Sequence, residues 1–388
     1  MKYMNISYYV LRQSNRKTEK HNEKQYKFFF VFVEHIKGRM KTLFLLFPVI
    51  QSLFFRNPLH MIHNTDSPPK PWTFLSNNLK TSAREWFIGR AERAGVPWKA
   101  SVDAYNDQYS RMSLNLWKRR LEIPDMVYPN YFTQPFHGYD QGNMEWMAAI
   151  EGEAATLSIS SNYWKGANPH DAAKWMRYNV SQHIHNYCRR YHVNADQFDS
   201  ILDMGCSIGI SSEFLANTFH KAKHIVGVDL SPFFVAMAAY RADKYGRNIE
   251  YIHGNSEHLT LTNGTFDLIT CNFLLHEVPY EPTMNILNEA YRLLKPNGIL
   301  VVVDLDPDHL KTQLALNPFR RWAFEVTEPH IYQYYQNDMH MNLMVSGFSD
   351  VEKMKNDPLN SVWIGKKNLM SVQTLKTSPK KLSFAMVY

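Results

Sequence analysis

The chain has 388 residues and a net charge of +7, and 45% of its residues are hydrophobic and 14% aromatic. A chain of this length and composition is mostly globular and forms one large domain or two ordinary ones. Its three cysteines lack both a disulfide framework and the C-x-x-C or Cys/His spacing of a zinc site, so no metal is predicted. The positive charge lies in the first 56 residues, which hold eleven basic and three acidic side chains, and the near-neutral remainder indicates no nucleic-acid partner.

Residues 1–66 have the composition of a leader. Two apolar runs, 28–33 and 43–55, are each shorter than the roughly 20 residues needed to span a bilayer. Met40 is a candidate start, because a lysine and a short apolar stretch after it resemble a secretory signal or part of an organelle address. Three interpretations stay open: an untargeted leader on a cytoplasmic protein, an organelle or endomembrane address at residues 40–55, and membrane association through residues 28–55.

Residues 67–198 are predicted to form a helical and aromatic-loop extension that acts as a cap or lid. Apolar residues recur at helical spacing through 72–121 and 148–191. Two such series are Tyr105, Tyr109, Met112, Leu116 and Ala172, Trp175, Met176, Val180, Ile184, Tyr187.

Between the helical stretches, residues 128–146 form a loop with many aromatic side chains that have polar tips. His137 and Tyr139 in this loop are predicted to contact the substrate or cofactor as lid residues. Packing of the same side chains on the core is the alternative.

From residue 199 the chain alternates strands and helices, which favours a parallel sheet with helices on both faces. The predicted domain ends at residue 367, and residues 368–388 are a polar tail. The strands are predicted at 200–204, 224–229, 249–253, 266–272 and 298–304, with a terminal antiparallel pair at 348–354 and 361–366. The helices are predicted at 210–219, 232–245, 281–294 and 309–316.

The first strand leads into a glycine turn with Gly205 and Gly209 four positions apart. Glycine lets backbone N–H groups approach a ligand closely, and the helix N-terminus that follows favours negative charge. The dinucleotide fingerprint G-x-G-x-x-G is absent. A nucleotide-like cofactor site and a purely structural turn both fit this segment.

Polar residues follow the next strands at what should be the same edge of the sheet. Asp229 ends the second strand and can accept hydrogen bonds from both hydroxyls of a ribose, although a dinucleotide enzyme has an acid here too. The turn from Gly254 to Glu257 could reach an adenine amine, and a polar loop runs from Cys271 to Pro279.

Together these motifs resemble the class I S-adenosylmethionine-dependent methyltransferases. The resemblance covers residues 199–367 and rests on the ordered series Asp203-x-Gly-Cys-x-x-Gly209, Asp229-Leu-Ser, Gly254-x-x-Glu257, Phe266-Asp-Leu and Leu293-Leu-Lys-Pro-x-Gly298. It implies an α/β fold with a Rossmann-like seven-stranded sheet, mostly parallel with its last strand antiparallel, and S-adenosylmethionine as cofactor. The cofactor-binding residues that it implies are Asp203, Gly205, Cys206, Ser207, Gly209, Asp229, Leu230, Asn255, Ser256, Glu257, Asn272 and Phe273.

Two positions depart from the family pattern. Ser207 stands where many relatives carry a third glycine, and we expect it to be tolerated if its backbone angles are ordinary. Asn255 stands where many relatives carry aspartate. Its side-chain carbonyl oxygen can accept a hydrogen bond from an adenine amine, but it lacks the negative charge of aspartate.

A closer resemblance, over residues 128–367, is to plant and algal methyltransferases related to the ubiquinone/menaquinone-biosynthesis enzymes. This resemblance leaves the methyl acceptor open.

A methyl sulfonium is a strong electrophile, so the protein has mainly to align an acceptor and exclude water. His276 is the predicted base, because imidazole titrates near neutrality, and Glu277 is predicted to orient it or to bind a cationic substrate. Helix capping is the alternative for both residues. Glu328, Tyr332 and Tyr335 are predicted to wall the acceptor pocket, and packing in the core is the alternative for them.

The sequence therefore predicts a methyltransferase, EC 2.1.1.-, acting on an oxygen, nitrogen or carbon of a small, lipid-like or aromatic acceptor. Two alternative functions also fit the sequence. A degenerate methyltransferase domain could serve as a binding or scaffold protein, and an NAD-dependent oxidoreductase would share the acid after the second strand. The oligomeric state is left open.

Overall fold

The computed structural model of the protein describes residues 77–315, except 162 and 165, and residues 328–368. The predicted leader at 1–66 and the polar tail beyond residue 368 lie outside the described residues. Within the described part of the chain, no helix has both the length and the apolar character needed to cross a bilayer.

Five α-helices precede the sheet in the described chain: α1 (Asn77–Arg93), α2 (Trp98–Asp103), α3 (Gln108–Leu121), α4 (Trp146–Ser161) and α5 (Pro169–Arg190). Side-chain caps fix two of their starts. Asp107 accepts the Ser110 N–H at α3, and Asn168 accepts the His170 N–H at α5, where proline occupies the first helical position. The predicted helical stretches are therefore present on both sides of the aromatic loop.

The sheet consists of seven strands, β1 (Ser200–Met204), β2 (His224–Asp229), β3 (Glu250–His253), β4 (Phe266–Asn272), β5 (Leu294–Leu305), β6 (Phe348–Lys355) and β7 (Asn360–Lys367). Their spatial order is β3-β2-β1-β4-β5-β7-β6. Strands β1 to β5 pair in parallel, and β7 runs antiparallel between β5 and β6. The predicted mostly parallel sheet with an antiparallel last strand is confirmed.

Helices connect the strands: α6 (Ile210–Thr218), α7 (Pro232–Lys244), α8 (Tyr280–Leu293), α9 (Pro307–Ala315), α10 (Ile331–Tyr334) and α11 (Met339–Val345). The last predicted parallel strand, at 298–304, starts earlier than expected. Leu294 already pairs with Phe266, and the ladder then shifts so that Leu268 pairs with Ile299. The Lys-Pro-Asn-Gly segment between these pairs forms an irregularity within β5 and does not precede the strand.

Both faces of the sheet are buried, because successive strand residues point to opposite sides. Leu300 and Val302 of β5 join the core cluster that contains Leu287 of α8. Val301 joins a second cluster, on the other face, that contains Ile184 of α5. Helix α5 of the N-terminal region therefore packs directly on the sheet.

Two of the predicted apolar stripes are only partly buried. On α3, Tyr109, Met112 and Leu116 are exposed, because the helix packs on α7 through the opposite face, with Leu114 fully buried. On α5, Trp175 is 47% exposed while the other members of its predicted series are buried. The spacing identified the helices correctly, but in both cases it did not identify the full buried face.

The carboxyl ends of the parallel strands meet at one edge of the sheet, the usual place for a ligand in such folds. This edge carries Asp203 of β1, Asp229 of β2, Asn272 of β4 and Asp304 of β5. A surface hollow of about 390 Å³ lies at the opposite edge, beside Lys367. The Lys367 ammonium is already bound to backbone carbonyls there, so the carboxyl edge is the better candidate site.

Candidate active site

The glycine turn after β1 places three residues in the left-handed region: Gly205 (φ +70°), Ser207 (φ +50°) and Gly209 (φ +84°). Side chains are disfavoured at both glycines by the left-handed angles and by close neighbours. A Cβ on Gly205 would lie 2.9 Å from the methyl carbons of Leu274, and one on Gly209 would collide with the Tyr251 hydroxyl. The turn is held by the N–H groups of Gly205 and Cys206, which both donate to the Val228 carbonyl of β2.

Ser207 does not have the ordinary backbone angles on which its tolerance was predicted to depend. A non-glycine residue in the left-handed conformation costs about 1–2 kcal/mol. The conformation is held by the Ser207 N–H, which donates to Asp229 Oδ2 at 2.8 Å. The departure from the family pattern therefore carries backbone strain.

Replacing Ser207 with glycine should relieve this strain and raise the free energy of unfolding by about 1 kcal/mol. Denaturant unfolding measures the change. Ser101→Gly is the matched control, because Ser101 lies in α2, where glycine should lower stability by about 0.5 kcal/mol. A loss of stability in Ser207→Gly would show that the serine is not strained.

Asp203 is the fully buried anchor of the turn. Its carboxylate accepts hydrogen bonds from the hydroxyls of Ser211, Ser212 and Thr270 at 2.6–2.8 Å and from the Asn272 amide at 3.1 Å. Burial raises the pKa of Asp203, and these donors oppose the rise. The network joins β1, β4 and the start of α6, so Asp203 holds the glycine turn in place.

Asp229 at the end of β2 is also buried, with 8% of the residue exposed. Its two carboxylate oxygens each accept one backbone N–H, from Ser207 and from Ser231, at 2.8 Å. Burial raises the pKa of Asp229 to about 6, and the two N–H donors limit the rise. Because a carboxylate has about four acceptor positions, this one can still accept from a ligand.

The third turn is occupied by internal hydrogen bonds. Asn255 Oδ1 accepts the Glu257 N–H at 2.9 Å. The Glu257 carboxylate accepts from the Tyr131 hydroxyl at 2.7 Å and from the Asn285 amide at 2.9 Å. Glu257 thus ties the aromatic loop to α8, a link that spacing in the sequence does not reveal. The predicted neighbours Ser256 and Leu230 are buried.

His276 lies in a short 3-10 helix (Leu275–Glu277) after β4 and is 7% exposed. Its Nδ1 is 2.6 Å from Asp304 Oδ1, while Asp304 Oδ2 accepts the N–H groups of Leu275 and His276. Burial alone would lower the pKa of His276, but Asp304, Glu328 and Glu277 raise it to about 9. A ring with this pKa is protonated at pH 7, so the predicted role as base requires that it first lose a proton.

His137, Glu277 and Glu328 lie beside His276. His137 Nε2 is 3.0 Å from Glu328 Oε1 and 3.8 Å from Glu277 Oε1. Partial burial would lower the pKa of His137, but the two carboxylates raise it. Burial raises the pKa of Glu277 to about 7. Four residues predicted separately, from three distant segments of the chain, therefore form one cluster.

The other two predicted lid residues have different environments. The Tyr139 hydroxyl donates to Glu151 of α4 at 2.6 Å, and Arg84 pairs with the same carboxylate. Tyr332 is 47% exposed on α10 and lies 6.0 Å from the Tyr335 ring. Tyr139 anchors the loop to the helical region, and Tyr332 lies at the surface.

Three of the seven non-glycine residues with left-handed angles in the described chain lie around this edge. Besides Ser207, the bulky residues His137 (φ +51°) and Phe273 (φ +56°) adopt left-handed angles. Phe273 directly follows β4, where its N–H donates to the Val303 carbonyl at 2.7 Å. Such outliers persist only where the surroundings enforce them, and they gather at functional sites.

The profile of a protein family described as "Methyltransferase domain" matches residues 201–298, from β1 into β5. The chain carries a class I methyltransferase domain. Its seven-stranded sheet and antiparallel β7 are those that the resemblance implied. The predicted relation to the menaquinone-type methyltransferases and the predicted cofactor, S-adenosylmethionine, are confirmed at the level of the family.

The names of similar proteins give different methyl acceptors. Demethylmenaquinone methyltransferase of Listeria welshimeri is 32% identical over 129 residues, which are 33% of this chain and 54% of that protein. Arsenite methyltransferase of Aquipseudomonas alcaligenes is 29% identical over 175 residues, covering 41% and 47%. The chain thus spans about half the length of the curated relatives it matches.

Among solved structures, phosphoethanolamine N-methyltransferase 2 of Haemonchus contortus, with S-adenosylmethionine bound, is 16% identical. The similarity covers 44% of this chain and 49% of that one, with a TM-score of 0.34. A similarity this weak does not identify the methyl acceptor of this chain.

Two residues of the candidate site were missed by sequence reasoning. Asp304 could have been found as an acid that ends a run of valines at the carboxyl edge. Arg177 of α5 interacts electrostatically with Asp203 and Glu213; burial lowers its pKa to about 10, and its guanidinium donates to the Ala173 carbonyl at 3.1 Å. No motif marks Arg177, because it lies before the matched segment and approaches the turn through tertiary packing.

Proposed function

We propose that this methyltransferase domain transfers the methyl group of S-adenosylmethionine to a small-molecule acceptor at the carboxyl edge of the sheet. The observation that carries the proposal is the buried Asp229 carboxylate, held by the N–H of Ser207 beside the glycine turn. A glycine turn, which lets the backbone approach a ligand closely, next to a buried hydrogen-bond acceptor suits an amino-acid moiety and a ribose.

The residues present fit this cofactor. Asp229 can accept from the ribose hydroxyls, because each oxygen has one backbone donor in the structure. Gly205, Cys206 and Gly209 would line the methionine moiety. The Arg177 guanidinium would bind the cofactor's carboxylate, since arginine pairs with carboxylates through two parallel hydrogen bonds.

The cluster of His137, His276, Glu277 and Glu328 would receive the acceptor. Bound S-adenosylmethionine would supply an electrophilic methyl group, and the chain would align the acceptor with it. Such alignment contributes roughly 7–11 kcal/mol. His276, positioned by Asp304 at 2.6 Å, would hold and move the acceptor's proton, with Glu277 as its neighbour in the cluster.

The charged groups of this cluster favour an acceptor with a polar reacting group. The reacting atom can be oxygen, nitrogen or carbon. Phe273 at the end of β4 would form an apolar wall beside the reacting centre, which suits an aromatic or lipid-like body behind the polar group.

The experiment is a methyl-transfer assay with radiolabelled S-adenosylmethionine and a panel of quinols, phenols, amines and thiols. We expect S-adenosylhomocysteine release that depends on one class of acceptor. Cofactor binding without release across the whole panel would favour a binding or scaffold protein.

Replacing Arg177 with methionine should weaken S-adenosylhomocysteine binding about 10- to 100-fold, because a charge-assisted pair is lost. Calorimetry with 5′-methylthioadenosine is the internal control. This ligand keeps the adenosine and lacks the amino acid, so its affinity should not change. Equal losses for both ligands would mean that Arg177 only supports the fold.

A further inference from the structure

Three side chains at the candidate active site have the composition of a metal centre. One donor atom each from His137, His276 and Glu328 lies within 4.8 Å of the others. The three residues come from the aromatic loop, the segment after β4 and the segment before α10. Their wide separation in the sequence explains why no metal-binding spacing was visible there.

The histidine at the centre of the cluster is oriented as metal-binding histidines are. Its Nδ1 bonds to Asp304 at 2.6 Å, so Nε2 is the ring nitrogen left for a metal. Asp304 is fully buried and fixed by the N–H groups of Leu275, His276 and Leu305. A carboxylate on the far nitrogen sets the tautomer and raises the basicity of a histidine ligand.

Glu328 gives a second, independent observation. The residue is 5% exposed, and its Oε2 atom is buried without a hydrogen-bond partner in the described part of the chain. Leaving a buried polar atom unsatisfied costs about 1–3 kcal/mol, and more for a charged group. A cation bound between Glu328 and the two imidazoles would satisfy it.

The local charges also favour a cation. Three carboxylates, of Asp304, Glu277 and Glu328, surround the two imidazoles, and their ion pairs within the described residues are with these histidines alone. When both imidazoles are neutral, the three carboxylates give the cluster a net negative charge, which a divalent cation would offset.

We propose that His137, His276 and Glu328 bind one divalent first-row transition-metal ion, such as Zn²⁺, Fe²⁺ or Mn²⁺. Two imidazoles and one carboxylate suit these ions, and three protein ligands leave a coordination position open for another molecule. The donor atoms must approach one another, because metal–ligand bonds of about 2.0–2.2 Å bring them closer than 4.8 Å. Loop 128–146 would then be clamped to the end of β4, and the open position would take a polar group of the acceptor. In the metal-bound protein both ring nitrogens of His276 are engaged, so the ion would polarise the acceptor, and proton transfer by His276 belongs to the metal-free protein.

The test uses the full chain without a histidine tag, freed of metal with a chelator and titrated with Co²⁺. Visible absorption reports the ligand field of the ion, and calorimetry with Zn²⁺ gives the stoichiometry. We expect one tight equivalent in the wild type and at least a 10-fold weaker affinity in both His137→Ala and Glu328→Gln. Asp304→Asn, which keeps all three ligands, should weaken binding about 10- to 100-fold.

His170→Ala is the matched control, because His170 is an exposed histidine on α5, and it should keep the tight equivalent. Glu328→Gln preserves the shape of the side chain, and circular dichroism checks that each variant is folded. Equal metal affinity in the wild type, His137→Ala and Glu328→Gln would overturn the proposal, as would the absence of any tight equivalent. Both readouts are independent of methyl transfer, so a failed metal site and a failed methyltransferase assignment are distinguishable.

Discussion

The Asp229→Asn variant is expected to bind S-adenosylhomocysteine about 10- to 150-fold more weakly than the wild type. Hydrogen bonds to a charged group contribute about 1.5–3 kcal/mol, and each 1.4 kcal/mol corresponds to a factor of ten. The buried carboxylate accepts the Ser207 and Ser231 N–H groups, one at each oxygen, and ribose hydroxyls would add to this hydrogen bonding. Isothermal titration calorimetry measures the change.

Methylthioadenosine separates this effect from that of Arg177. S-adenosylhomocysteine and methylthioadenosine both contain the ribose, so Asp229→Asn should weaken the binding of both equally. Arg177→Met should weaken only the binding of S-adenosylhomocysteine, which carries the amino acid. Asp243→Asn is the matched control, because Asp243 is exposed on α7. Unchanged affinity in Asp229→Asn would remove Asp229 from the cofactor site.

The same carboxylate predicts how binding depends on pH. Burial, with a smaller contribution from Asp203, raises the pKa of Asp229 to about 6, so the group is mostly protonated at pH 5 and loses acceptor capacity. Wild-type affinity should fall below pH 6 and be constant in Asp229→Asn. Because the folded state holds this proton more tightly than the unfolded chain, the contribution of Asp229 to stability falls as pH rises from about 4 to 6.

The second large effect concerns turnover. His276→Ala should reduce S-adenosylhomocysteine release about 100- to 10,000-fold, the range typical of a positioned acid–base group. Its effect on S-adenosylhomocysteine binding should stay within about twofold, because the ring contacts Asp304 and the acceptor-side cluster. Steady-state rates and calorimetry on the same preparation give the two values.

His258→Ala is the control for this variant, since His258 is exposed and lies in the turn after β3. Asp304→Asn tests the positioning of the ring. It should lower kcat and shift the pH profile of kcat, which a purely structural residue would not do. Equal losses of turnover and cofactor affinity in His276→Ala would show a structural role.

The sequence predicted the sheet well because its strands are short apolar runs that end at polar residues. The bounds of β1, β2 and β4 are those predicted, and β3 starts one residue later. The exception is β5, where an irregularity hides the true start. A local pattern cannot reveal a shifted ladder, since the shift depends on the neighbouring strand.

The sequence predicted individual residues of the candidate site better than it predicted how they are arranged in space. Asp203 and Asp229 followed from their places at strand ends. The contact of His137 with Glu328 depends on how the aromatic loop folds back, and the Glu257–Tyr131 bond joins segments far apart in sequence. The sequence could not reveal the strain at Ser207 either, because the identity of a serine does not determine its φ angle.

The most direct test of the account is a calorimetric comparison of S-adenosylhomocysteine and NADH binding to the wild-type chain. The glycine turn without G-x-G-x-x-G and the methyltransferase topology predict one equivalent of S-adenosylhomocysteine bound and no heat from NADH. Preferential binding of NADH would contradict the central claim, that the edge holding Gly205, Gly209 and Asp229 binds a sulfonium cofactor.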